Sequence, residues 1–135
     1  MLRVLPDAAP LDYRLCGQTV TLYHLSGKMS DFRCTCTVFH GAYLESEQTG
    51  GVEKTGETGK HSFLLVLPSG NGHPVWGEDY TLRRGDKVLM GEGGVLQNGA
   101  DWQALQPASR NDLFVVRSIA VRSWDGKICH VEVRG

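Results

Sequence analysis

The chain has 135 residues, 17 of them glycine, with 41% hydrophobic and 21% charged residues and a formal net charge of −1. That length fits one domain able to bury a real core. The even balance of acids and bases, with no basic block along the sequence, argues against a protein held to nucleic acid by phosphate neutralisation, and no stretch approaches the roughly 18 apolar residues of a membrane-spanning helix.

Residues 1–16 read as an N-terminal extension. Pro6, Asp7 and Pro10 interrupt any apolar run of signal-peptide length. A soluble, intracellular protein is therefore expected, with Cys16, Cys34, Cys36 and Cys129 as thiols rather than disulfides. Residues 17–135 then read as a single β domain. QTVTLYHL (18–25) is Thr/Val-rich and bounded by Gly17 and Gly27, the composition of a strand. DFRCTCTVFH (31–40) alternates, with Phe32, Cys34, Cys36 and Val38 on one face and Arg33, Thr35 and Thr37 on the other. SGKMS joins the two as a hairpin.

After a long polar stretch, HSFLLVLP (61–68) is almost continuously apolar, the pattern of a strand covered on both faces. SGNGHPVWGED (69–79) is turn material. DKVLMGEG (86–93) opens another strand, and one short helix is expected from near Asp101, stopped by Pro107. Two β-branched runs flanking Asp125-Gly126 predict a terminal hairpin. Five to seven short antiparallel strands with one short helix make an all-β barrel or sandwich the expected fold.

The polar stretch QTGGVEKTGETGKHS (48–62) contains Gly59-Lys60, which invites a phosphate-loop reading. A P-loop requires a glycine five residues before its second glycine and a hydroxyl residue directly after the lysine. Lys54 and His61 stand in those places, and a strand follows where a helix is needed. The other chemical candidates fare no better. Cys34, Cys36, Cys129 and His130 include the right atoms for a metal, but side chains two apart on a strand lie about 7 Å from each other, and Cys129 and His130 point to opposite faces. Thiols packed as small apolar side chains are the simpler reading. The five histidines sit in neither a G-x-S-x-G nor an H-E-x-x-H frame, so no catalytic residue and no metal ligand is assigned. Arg84-Gly85-Asp86 spells an integrin tripeptide, yet Gly-Asp before a strand is ordinary turn chemistry. Trp76, in a Gly/Pro/His-rich loop, serves equally as a cap on the core or as an interface anchor.

TVTLYH, CTCTVFHGAYLE, the long polar loop, HSFLLVLP, GDKVLMGEG and the closing DLFVVRSIAVRSWDGKICHVEVRG follow one another in an order that spans roughly residues 17–135. That order resembles small head–tail connector proteins of tailed bacteriophages, the stopper or head-completion group, and related minor structural proteins of prophages in Gram-positive bacteria. The resemblance implies a small β-barrel assembling as a ring below the portal, a virion structural protein made in the cytoplasm of a bacterial host. It implies neither catalytic residues nor a cofactor. Its implied partners are further copies of the chain, portal, adaptor or tail proteins, and DNA in passage without sequence-specific binding, with no membrane. The loop between the second and third strands projects into the central channel in such proteins. Here that place is held by a mobile loop at 48–60, with Thr49, Gly50, Gly51, Val52, Glu53, Lys54, Thr55, Gly56, Glu57, Thr58, Gly59 and Lys60 as the expected interface residues. Residues 1–16 match nothing in that pattern, and tail-completion and tail-terminator proteins share its size and strand content. The alternative is a β-barrel binding module for a peptide, polysaccharide or single strand, which would gather Tyr23, Phe39, Tyr43 and Trp76 on one exposed face.

Overall fold

The computed structural model describes residues 13–27, 29–49, 60–106 and 111–135. Among these, seven strands, β1 (Gln18–Leu25), β2 (Cys34–Thr49), β3 (Lys60–Pro68), β4 (Lys87–Met90), β5 (Leu113–Val115), β6 (Ser118–Trp124) and β7 (Lys127–Arg134), pair in the order β5-β4-β1-β2-β3-β7-β6. Every ladder is antiparallel. The one α-helix among them, α1 (Gly99–Ala104), starts two residues before Asp101 because Asn98 caps it, its side chain accepting the Asp101 N–H. No described helix is long and apolar enough to cross a membrane.

β2 is the spine of the fold. Its first half pairs with β1 as far as Ala42, and its second half, from Tyr43, pairs with β3. Between them Gly41 is bulged out, since Thr19 faces His40 and Gln18 faces Ala42. Gly41 has φ +90°, and a Cβ there would lie 2.6 Å from His73 Nε2, so only glycine fits both the backbone and its neighbour. The bend splits the sheet into a β5-β4-β1-β2 half and a β2-β3-β7-β6 half. The outermost strands, β5 and β6, are consecutive in the chain and linked by Val116-Arg117, so the sheet rolls up without a β5–β6 ladder. Backbone bonds of 2.8 Å from Gly85 N–H to Val116 C=O and from Val116 N–H to Asp86 C=O hold that link in place.

Inside the roll, Val20, Leu22, Phe39, Leu65, Leu67, Val88, Phe114, Val131 and Val133 form the main core. β3 is buried on both faces as its composition predicts, with Val66 covered on the side opposite Leu65 and Leu67. The alternation in β2 has a different outcome. Cys34 and Cys36 pack with Phe32, but in a second cluster outside the roll, beneath α1, with Tyr23, Leu89, Trp102 and Leu113. The face carrying Thr35 and Thr37 is the one that leads to Phe39 in the main core. Arg33 and Thr35 are exposed while Phe32, Cys34 and Cys36 are half-buried, so the alternation separates covered from exposed side chains up to Cys36, and from Thr37 to Phe39 both faces are covered. The Asp125-Gly126 hairpin is as expected, both residues having the positive φ of a type I′ turn (54° and 79°).

Candidate functional site

The polar stretch after the bend of β2 begins as paired strand rather than as loop. Gln48 faces His61 and Thr49 faces Lys60 in the β2–β3 ladder, so the two outer residues expected of the interface loop are strand residues. Gly50 to Gly59 lie outside the described residues. On the body side, β1 leaves β2 at Ala42 and β7 leaves β3 at Leu64. A last pair of bonds, Phe63 N–H to Gly135 C=O and Gly135 N–H to Phe63 C=O, both 3.3 Å, ends the support. Glu47–Thr49 and Lys60–Ser62 therefore form a two-stranded ribbon that continues past the body by three residue pairs, or about 10 Å at strand rise. No described strand flanks it on either side. An isolated two-stranded ribbon is at best marginally stable in water, and its open edges are templates for another chain.

A groove of about 440 Å³ lies at the root of this arm, lined by Glu45, Ser46, Ser62, Phe63, Leu64 and Arg134. Tyr43 Oη donates to Glu45 Oε1 at 2.8 Å and fixes the carboxylate. The lining combines one acid, one guanidinium and two hydroxyls over an apolar floor. It suits a chain segment of mixed polarity and contains no nucleophile held by a base. Composition alone hides this groove, because it forms only when the β2–β3 register brings Glu45 opposite Leu64. Comparison with protein-family models, curated proteins and solved structures returns no match.

The other sequence candidates fall elsewhere. Trp76 is half-buried and packs against the main core, its ring edge-on to Tyr80 at 5.4 Å. Tyr23 and Phe39 are 1% and 0% exposed, so they do not join Tyr43 and Trp76 in an exposed aromatic face. Two polar clusters went unseen in the sequence. His24 Nδ1 bonds the buried Asp86 carboxylate at 2.7 Å, and His130 bonds both Tyr13 Oη (2.7 Å) and Glu132 Oε2 (3.0 Å). Lys87, also buried, donates to the carbonyls of Trp102 (2.7 Å) and Leu105 (2.5 Å) with its ammonium 4.5 Å from the Trp102 ring centre, pinning α1 over the second cluster. Burial holds that ammonium below the usual lysine value.

Burial, then the neighbouring Cys36 and Asp86, push the Cys34 thiol up to about 11, and burial raises Cys36 as well. Since the thiolate is the reactive species, iodoacetamide at pH 8 should alkylate Cys34 about 100-fold more slowly in the folded protein than in the urea-unfolded chain. Peptide mass spectrometry of a time course measures this, and equal rates would show that the thiol is not packed as described.

Proposed function

We propose that this chain is a virion structural protein of a bacteriophage or prophage, a head–tail connector subunit that joins further copies of itself in a ring. The observation that carries this reading is the arm. A ribbon with no described strand on either side, rooted beside a groove of mixed polarity, makes sense as a part completed by a neighbour. The opposite flank of the sheet offers a second kind of open edge, since β7 is the one described ladder partner of β6. Two unlike edges on one subunit are what a head-to-tail, ring-closing contact requires. Portal and tail proteins would be the partners above and below such a ring.

The test replaces Gly50–Gly59 by Asn-Gly, which a two-residue type I′ turn can accommodate because Thr49 already faces Lys60. Electron microscopy then compares wild type and variant, alone across concentration and mixed with a portal assembly. Rings are expected from the wild type and none from the shortened chain, whose thermal midpoint should stay within about 4 °C of wild type because the β2–β3 ladder from Tyr43–Val66 to Thr49–Lys60 is kept. The reading fails if the wild type forms rings under neither condition, or if the shortened chain forms them equally well.

A further inference from the structure

The chain has three asparagines, Asn71, Asn98 and Asn111, and the first two precede glycine. An asparagine side chain is open to attack by the backbone nitrogen that follows it, and a glycine there has no Cβ to obstruct the approach. Local sequence makes Asn71-Gly72 and Asn98-Gly99 equally susceptible. The fold separates them.

Asn98 is held through both its side chain and its backbone. It is the N-cap of α1, its Oδ1 accepting the Asp101 N–H at 2.9 Å while its carbonyl accepts the Trp102 N–H at 3.2 Å. Asp101 Oδ2 in turn accepts the Gln97 N–H at 2.9 Å. Attack on the Asn98 side chain must break this cap and turn Gly99 out of the first helical turn.

Asn71 is the reverse case. It is exposed at the tip of the Gly70–His73 turn, with φ 55° between glycines at 81° and 94°. The left-handed region strains a residue that carries a Cβ, so rotation out of it meets little resistance. A Cβ on Gly70 or Gly72 would meet no atom within 4 Å, which leaves the turn in open space. Among the described residues, neither the Asn71 side chain nor the Gly72 N–H has a hydrogen-bond partner.

We infer that Asn71 is a site of spontaneous deamidation, and that isoaspartate formed there unseats His73 from the bend of β2. The Gly72 nitrogen gives its proton to solvent and bonds to Asn71 Cγ. The bond from Cγ to the side-chain nitrogen breaks, and ammonia leaves. Water then opens the cyclic imide. Opening at Cγ leaves aspartate, whereas opening at the main-chain carbonyl leaves isoaspartate, with the chain running through the side-chain methylene. That extra main-chain atom falls between Gly70 and His73. The Gly70 carbonyl accepts from the His73 N–H at 3.1 Å and from its Nδ1–H at 3.2 Å. These bonds fix a ring that stacks on Phe39 at 5.9 Å and lies against Gly41. Lengthening the turn breaks them, so a slow chemical change at the surface reaches the point where the sheet folds over. This inference concerns the isolated chain and does not depend on ring assembly.

The experiment incubates the full chain in mildly alkaline buffer and follows Asn71 and Asn98 by peptide mass spectrometry. An isoaspartyl methyltransferase with a labelled methyl donor detects isoaspartate. In the urea-unfolded chain the two sites should react at equal rates. In the folded chain Asn98 should slow at least about fivefold, the equivalent of one lost N-cap, leaving Asn71 the faster site. Most of the methyl label should vanish in Asn71→Gly, which suits the positive φ, and persist in Asn98→Ser, which retains a capping oxygen. The fraction with isoaspartate at position 71 should exchange the backbone amides of residues 39–42 faster than the fraction with aspartate there. Equal folded rates at the two sites overturn the inference, as does label that persists in Asn71→Gly or vanishes in Asn98→Ser. Equal amide exchange in the two fractions overturns it as well.

Discussion

Replacing Asp86 by alanine is expected to cost about 3–5 kcal/mol of folding stability, the range for removing one partner of a buried charged network. The carboxylate accepts from Leu25 N–H at 3.0 Å through Oδ1, and from Arg83 N–H and His24 Nδ1 at 2.7 Å through Oδ2. Alanine would leave all three without a partner in a place where little water can replace the carboxylate. The position also has topological weight. Asp86 ties the end of β1 to the start of β4, and its own carbonyl receives the Val116 N–H that closes the roll. Asp86→Asn keeps one acceptor oxygen but turns an N–H₂ toward a donor, so about half of the loss should remain. Urea unfolding measures both variants. A loss below about 1 kcal/mol for alanine, the worth of one ordinary hydrogen bond, would mean that the network does not hold the fold together.

The same residue shows how sequence reading succeeds and fails. Arg84-Gly85-Asp86 reads as turn chemistry, and its Asp86 carboxylate faces inward, 1% exposed. Yet turn chemistry explains only the Arg83 N–H bond. The bonds to His24 and Leu25 span about sixty positions, and no local pattern encodes them. Elements whose signal is local were legible: β1 from its β-branched run, β3 from its apolar continuity, and the β6–β7 hairpin from Asp125-Gly126. β2 was legible only in part. Its polar continuation through Glu47, Gln48 and Thr49 has no apolar alternation, so it resembles loop until the ladder with Lys60–Ser62 is seen.

The candidate site divides in the same way. An unusual polar stretch after the second strand is visible by composition, because Val52 is its one large apolar residue between Thr49 and Lys60. Its supporting groove is not visible, since Glu45, Leu64 and Arg134 come from three strands and meet only through register.

Glu132→Ala should be the second most damaging of these changes, at about 2–3 kcal/mol, the cost of stranding a buried donor that had a charged acceptor. The His130 side chain is 3% exposed and uses both ring nitrogens. A carboxylate can only accept, so Nε2 carries the proton toward Glu132, and in the neutral ring Nδ1 receives the Tyr13 hydroxyl. Removing Glu132 strands that Nε2–H and also takes the acceptor from Arg122, whose Nε is already buried without a partner. Glutamine restores an acceptor without charge and should recover about 1 kcal/mol of the loss. The pH dependence provides an independent check. Burial raises the Glu132 carboxyl, but hydrogen bonds from His130 and Arg122 outweigh it and hold the group below its ordinary value of 4.5. The folded state thus binds this proton less readily than the unfolded chain. The stabilisation is complete above about pH 4.5 and disappears as pH falls through the lowered folded value. Wild-type stability should therefore fall on acidification below that point more steeply than stability of Glu132→Gln. Parallel curves for the two proteins would show that Glu132 is not held in this network.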